Sequence, residues 1–146
     1  MVINRNLLFE ADLAWTHARY AHEGENDQRG DRIPNAVDKA ASNGLSAHGL
    51  GAWSDDIKLL YIGDYPTSQY GNLRAPSSTV TNLRIQRQLG TRAALSLNVL
   101  NLFDHRYFDI AYEQDCRVTS TSPLVPYGIT VHPGGLREGR LTLRLL

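Results

Sequence analysis

The stretch that most constrains this chain is residues 92–107, RAALSLNVLNLFDHRY, which alternates strictly and then ends in Asn-Leu-Phe-Asp. Ala93, Leu95, Leu97 and Val99 fall on one face of a period-2 element, and Ala94, Ser96 and Asn98 fall on the other. The C-terminal residues repeat the pattern: Leu141, Leu143 and Leu145 alternate with Arg140, Thr142 and Arg144. In a soluble protein the apolar face of such a strand meets a core and its polar face meets bulk water. Here the polar face carries arginines and amides, and no helical pattern is available to cover the apolar one. One oily face and one wet, charged face are what a strand needs to cross a membrane in a barrel, with lipid outside and an aqueous interior.

Composition sets bounds without choosing between these environments. The 146 residues suffice for one ordinary domain. Lys+Arg and Asp+Glu both number 15, so the net charge is zero and no long-range field favours nucleic acid. Only Lys39 and Lys58 are lysine; the other basic residues are arginine, which suits fixed contacts more than general solvation. Cys116 is the single cysteine, which excludes an internal disulfide and a multi-cysteine metal site. Residues 1–15 lack the apolar run and small-residue cleavage site of a signal peptide. No run approaches the roughly 18–20 apolar residues of a transmembrane helix, but barrel strands give far weaker signals per segment. The export signal of a barrel would therefore lie outside the chain as given.

Six strands are predicted, at residues 8–20, 44–53, 57–63, 78–89, 95–103 and 137–146. Most are close to the roughly 9–11 residues that a tilted strand needs to cross a bilayer. The connections are more telling than any single strand. Residues 21–43 form a long polar stretch, Ser54-Asp55-Asp56 a tight turn, 64–77 a second long loop, Gly90-Thr91 a tight turn, and 104–136 the longest loop. Long and short connections alternate, as they do in a barrel with extended outer loops and short turns at the other end. Three loops this long without regular structure are unusual in a compact soluble domain. Trp53 lies beside a short turn, while Trp15, Tyr20, Tyr61 and Tyr65 lie toward long loops, the positions of interfacial aromatic girdles.

Candidates for chemistry are few. His22-Glu23-Gly24-Glu25 sits in a polar loop without a helical His-Glu-x-x-His arrangement and reads as a solvated charge run. His105 and His132 flank the longest loop near Asp104, Asp109 and Cys116, but their spacing matches no metal site, so no metal is expected. Gly71 and Gly134-Gly135 carry no phosphate-loop pattern, and no nucleophile elbow is present. Neither enzymatic chemistry nor a cofactor is indicated.

Asn101-Leu102-Phe103-Asp104, followed by Tyr107, resembles the C-terminal part of a TonB-dependent outer-membrane receptor, in which an alternating penultimate strand ends in Asn-Leu-Phe-Asp-x-x-Tyr before a long outer loop and a final strand. His132-Pro133-Gly134-Gly135-Leu136-Arg137 resembles the approach to that final strand, and residues 10–20 and 33–36 are also similar to members of the family. The resemblance implies an all-β fold: antiparallel transmembrane strands, about the last six of a 22-stranded barrel closed around an N-terminal plug. Such receptors import scarce ligands (siderophore-iron, haem, cobalamin or glycans) with energy relayed by TonB. Residues 1–146 would be the C-terminal part of that barrel, with the plug and roughly sixteen strands absent. The implied partners are outer-membrane lipid, the remaining strands and plug, and the TonB system through that plug. All three long loops would face the cell exterior.

On that reading Glu10, Asp12, Asn82, Arg84, Gln86, Asn98, Arg140, Thr142 and Arg144 face the lumen and hold the plug. Arg87 interrupts the oily face close to a short turn, where a snorkelling arginine costs about 0–1 kcal/mol. Ligand contacts are expected from 104–136, with Tyr107, Tyr112, Arg117 and Tyr127 as candidates. One departure is visible: the family usually ends in Phe, and Leu146 stands there. Six strands alone would leave two open edges and an uncovered oily face, so the chain is not a working transporter by itself. Two other readings stay open: a soluble all-β binding module built on the same alternation, and a non-functional remnant.

Overall fold

The computed structural model describes residues 2–20, 32–68, 73–117 and 119–145. The described residues form strands and loops without a helix: β1 Val2–Asn4, β2 Leu7–Trp15, β3 Lys39–Leu50, β4 Trp53–Ile62, β5 Tyr65–Pro66, β6 Arg74–Ala75, β7 Ser78–Leu89, β8 Ala93–Leu100, β9 Phe108–Cys116, β10 Val125–Pro133 and β11 Glu138–Leu145. Seven of them make one sheet in the order β1-β2-β3-β4-β7-β8-β11, and every neighbouring pair is antiparallel. All six expected strands are present, and β1 adds the end of a seventh. The main sheet of the described residues is thus up-and-down, with short turns at one end and long connections at the other.

Three expectations change. The tight turn before β4 is Gly51-Ala52, not Ser54-Asp55-Asp56: β3 starts at Lys39, β4 starts at Trp53, and Leu50 pairs with Trp53. The cause is backbone chirality, because Gly49 and Gly51 supply φ values of 69° and 66° that other residues adopt at a cost. β2 stops at Trp15 rather than Tyr20, where Thr16 donates from its backbone N and its Oγ to the carbonyls of Asp38 and Val37. Finally, the loops are not structureless. Residues 64–77 contain the small β5–β6 ladder, and 104–136 contain the β9–β10 hairpin, paired from Phe108 to Cys116. At the N-terminal edge the Asn4 side-chain oxygen accepts the N–H groups of Asn6 and Leu7, and this Asx turn joins β1 to β2.

Cross-strand register sorts the residues into two faces, because direct partners point the same way. One face carries Phe9 and Leu13 on β2, Leu45 on β3, Ile57 and Leu59 on β4, Leu83 and Ile85 on β7, Leu95, Leu97 and Val99 on β8, and Leu141 and Leu143 on β11. Among the described residues neither face of the sheet is packed against another layer. Leu13 is 80% exposed, Leu141 68% and Leu145 77%, so the face that ought to form a core lies open. A contiguous apolar surface of this extent is the mark of contact with lipid or another large apolar partner. The buried cluster lies instead among the connections at the loop end, where Tyr65, Ala75 and Ala111 pack with Val37.

Candidate functional site

The opposite face of the sheet is polar. Glu10 and Asp12 on β2, Asn82, Arg84 and Gln86 on β7, Asn98 on β8, and Arg140, Thr142 and Arg144 on β11 all share it by register. Asp56 and Lys58 of β4 join them, opposite Arg84 and Asn82 respectively. Reading Ser54-Asp55-Asp56 as a turn leaves Asp56 off the strand, whereas Lys58 lies on the face opposite Ile57, Leu59 and Tyr61, in the phase the sequence predicts. The Gly49-Leu50-Gly51 signal would have corrected the turn. Polar contacts within this face are sparse. Ser42 Oγ donates to Asp12 at 3.1 Å, Arg84 donates to Gln86 at 2.7 Å, and Arg140 meets Glu138 at 3.1 Å.

Two cations interrupt the apolar face, and each lies over the tryptophan directly across the ladder. The Arg87 guanidinium is 5.1 Å from the Trp53 ring centre, and Lys39 Nζ is 5.6 Å from that of Trp15. Trp53 is at the short-turn end of β4; Lys39 stands beside Gly63, whose N–H it accepts, at the loop end. Ten residue steps at about 3.3 Å, tilted by about 40°, give a band roughly 25 Å tall between the two pairs, the height of a barrel's lipid-facing belt. Stacking on an amphipathic ring at such a boundary lets each cation keep its charge near water. Tyr65, expected in a girdle, is instead 6% exposed in the loop cluster, because β5 folds back onto β6.

The Asn-Leu-Phe-Asp motif is a knot at the foot of the longest loop. Asn101 and Asp104 both take left-handed φ values, 49° and 54°, which Asn and Asp tolerate better than other side chains. Asn101 is 3% exposed and uses its whole amide. Nδ2 donates to the carbonyls of His105 and Gly135, both at 2.9 Å, and Oδ1 accepts the His105 N–H. The backbone N–H of Asn101 reaches Asn82 Oδ1, and that of Leu102 reaches the Thr81 carbonyl on β7. Asp104 Oδ1 accepts the N–H of Arg137. Two residues thereby tie the outgoing and returning arms of the loop to each other and to the neighbouring strand. Phe103 is 73% exposed. Tyr107 completes the knot: its carbonyl accepts the Gly134 N–H, and its ring covers Gly134 so closely that a Cβ there would overlap it.

A pair of substitutions tests that contact. Gly134→Ala is expected to destabilise the chain by about 1–3 kcal/mol through overpacking. Adding Tyr107→Ala is expected to return part of that loss, so a double-mutant cycle in equilibrium unfolding should show coupling between the two sites. Strict additivity would mean that ring and glycine do not meet.

Above the knot, three connections converge. The Asn35 N–H donates to the Pro66 carbonyl, the Glu113 N–H donates to the Thr67 carbonyl, and Thr67 is held against Leu73. Burial pushes the Tyr65 hydroxyl up from its ordinary value, with the Ala111 backbone acting in the opposite sense. Arg74 Nε donates to Asp64 at 2.6 Å and holds that carboxyl below its ordinary value of 3.8. The carboxylate is therefore favoured in the folded state, and its contribution is present above 3.8 and lost as pH falls through the lower folded value. Side-chain NMR titration should place the Asp64 midpoint below 3.8, and Arg74→Gln should bring it back up. Three shielded oxygens here, Asn35 Oδ1, Ser68 Oγ and Glu113 Oε2, have no hydrogen-bond partner among the described residues.

Of the four ligand-loop candidates, the three with described side chains are not gathered into one pocket. Tyr107 is in the knot and Tyr112 lies half-exposed on β9 opposite Thr130. Arg117 follows the end of β9 and donates to the Ser120 carbonyl. Tyr127 falls on β10, and its side chain lies outside what the structure describes. His132 and Asp109 stand 3.8 Å apart on the exposed hairpin. Among the described residues no group of three or more His, Cys, Asp and Glu side chains is placed to hold a metal ion. His22-Glu23-Gly24-Glu25, Gly71 and Leu146 lie outside the described residues.

Against known proteins, no family profile and no curated sequence matches this chain. Solved structures do. The chain is similar to the siderophore receptor PiuA from Acinetobacter baumannii, with a TM-score of 0.76 at 16% identity over 97% of this chain and 20% of that one. It is also similar to the ferric-catecholate import receptor Fiu from K12 E. coli, with a TM-score of 0.72 at 16% identity over 97% of this chain and 19% of that one. The protein therefore has the all-β, antiparallel fold of a segment of these receptors, and spans about a fifth of their length. Both are receptors rather than enzymes by name.

Proposed function

We propose that this chain is the C-terminal part of the barrel of a TonB-dependent outer-membrane receptor that imports a scarce ligand, with siderophore-iron the first candidate. The observation that carries the reading is the seven-stranded sheet with one apolar face, bounded at both ends by Trp–cation pairs. Its likeness over nearly its whole length to two siderophore receptors supports the same reading. The short turns then face the periplasm and the converged connections face the exterior. The chain acts together with further strands and a plug, which makes contact with TonB, and not by itself. Ligand capture belongs to the outer connections, where Tyr112 and Arg117 are exposed.

The test is the DNA upstream of the Met1 codon, read for about two kilobases in every frame. A continuous or once-interrupted frame encoding a signal peptide, a plug and some sixteen alternating strands is the expected result. A stop codon followed directly by an unrelated gene would leave the free-standing β module as the better account.

A further inference from the structure

The apolar face of the sheet is not uniformly apolar. Lys39, Asp55, Thr79 and Arg87 each stand within one rung of a boundary Trp–cation pair, near water. Asn43 does not. It is two rungs along β3 from Lys39, and Leu59, directly across from it, is three rungs along β4 from Trp53, so the amide stands in the middle of the belt. Asn43 is exposed, and its side chain has no hydrogen-bond partner among the described residues, although Tyr61 shares the face one rung away. A groove of about 240 Å³ opens here, lined by Asn43, Thr81, Phe9, Ile57, Leu59 and Phe103. Thr81 is 7% exposed, and its hydroxyl has no partner among the described residues. Acyl chains offer neither donor nor acceptor, so lipid alone leaves an amide and a hydroxyl unsatisfied in the hydrocarbon.

We propose that a second copy of this chain docks on this groove, about a two-fold axis that runs along the membrane normal beside Asn43. This rests on the membrane reading above; in a complete receptor it pairs two barrels wall to wall. An amide is self-complementary. Beside the axis, Nδ2 of each Asn43 donates to Oδ1 of the other, so one contact satisfies a donor and an acceptor in both copies. No water competes for such a bond in hydrocarbon, where polar side chains among small residues hold spanning segments together. Ala11, across the ladder from Asn43, and Ala41, one rung along β3, are small enough for the two walls to approach. The groove itself fits an aromatic ring, since a cavity of roughly 150 Å³ takes benzene. Phe9 and Phe103, which line it, are 36% and 73% exposed. A second copy necessarily brings both the amide and the rings; a lipid brings neither.

Cross-linking of the full chain in phosphatidylcholine vesicles tests this, with Cys116→Ser as the background and a short bis-methanethiosulfonate as the reagent. Single cysteines are introduced by Ala41→Cys beside the axis, Leu60→Cys on the opposite face and Leu143→Cys on the edge strand β11. A covalent dimer is expected from Ala41→Cys and from neither of the others, and it should persist as added lipid dilutes the chain. Asn43→Leu, which suits lipid and removes only the amide, should weaken the association by about tenfold, read from dimer yield against dilution. Brominated acyl chains should quench Trp15 and Trp53 in every variant, which reports a folded sheet with its apolar face in lipid. A dimer from Leu143→Cys instead would mean that open strand edges pair, and equal yields at all three sites would mean random collision. Either result overturns the proposal, as does an Ala41→Cys dimer that Asn43→Leu leaves unchanged. Absence of quenching would remove the membrane reading together with this one; quenching without an Ala41→Cys dimer removes this one alone.

Discussion

Replacing Asn101 by alanine is expected to destabilise the folded chain by about 3–5 kcal/mol. The amide makes three hydrogen bonds at a site only 3% exposed, so alanine leaves the His105 and Gly135 carbonyls and the His105 N–H without that partner. At about 1 kcal/mol per bond, with up to about 1 kcal/mol more because asparagine tolerates a φ of 49° better than alanine does, the terms reach that range. Asn101→Gly separates the two contributions, since glycine adopts the backbone freely and loses only the bonds. It should therefore fall about 1 kcal/mol short of the alanine variant's loss. Urea unfolding in micelles measures both. Hydrogen exchange adds a local readout: the His105 N–H should lose protection in each variant. A loss under about 1 kcal/mol for alanine would mean that the loop is held elsewhere.

The second large effect separates the membrane reading from the soluble one. Leu59 and Leu60 are adjacent and each is 37% exposed, but register puts them on opposite faces. Leu59 lies between Asn43 and Thr81 on the face that also bears Ile57 and Leu83; Leu60 lies between Ser42 and Val80 on the face that also bears Asp12 and Lys58. In phospholipid vesicles Leu59→Arg is expected to cost about 2–4 kcal/mol, the penalty for an arginine facing lipid near the midplane. Leu60→Arg should stay within about 1 kcal/mol, because its guanidinium enters a wet space. Unfolding followed by tryptophan fluorescence measures the difference. Equal effects would indicate that water bathes both faces, as the soluble module requires.

What the sequence revealed, and what it hid, follows from how each signal arises. Residues 82–86, 95–99 and 140–145 are legible because apolar and polar residues alternate there, and the nine expected polar-face residues do share a face by register. The β3–β4 turn was misread because Ser54-Asp55-Asp56 looks like turn chemistry. Asp56 is polar because its face is polar, while Asp55 sits near the end of the strand opposite Ala47 and Ile85. The β9–β10 hairpin was overlooked although Phe108, Ile110 and Tyr112 alternate with Asp109, Ala111 and Glu113; no Asn-Gly or Asp-Gly turn marks its tip. The motif itself was legible as a pattern only. Its work, a single amide bridging residues 34 positions apart, depends on two chain segments meeting and leaves no local trace.

That bridge also bears on the order in which the strands assemble. β8 and β11 are adjacent in the sheet with the nine-residue strands of the β9–β10 hairpin inserted between them, so zipping them directly means closing a loop of more than thirty residues. If β9 and β10 pair first, by contacts nearby in sequence, the same closure spans only the few residues on either side of the hairpin. The entropy of joining the ends falls by about 1 kcal/mol. The knot of Asn101, Asp104 and Gly135 forms where that shortened loop shuts, which makes it a latch set late: the final strand is added after its loop has folded.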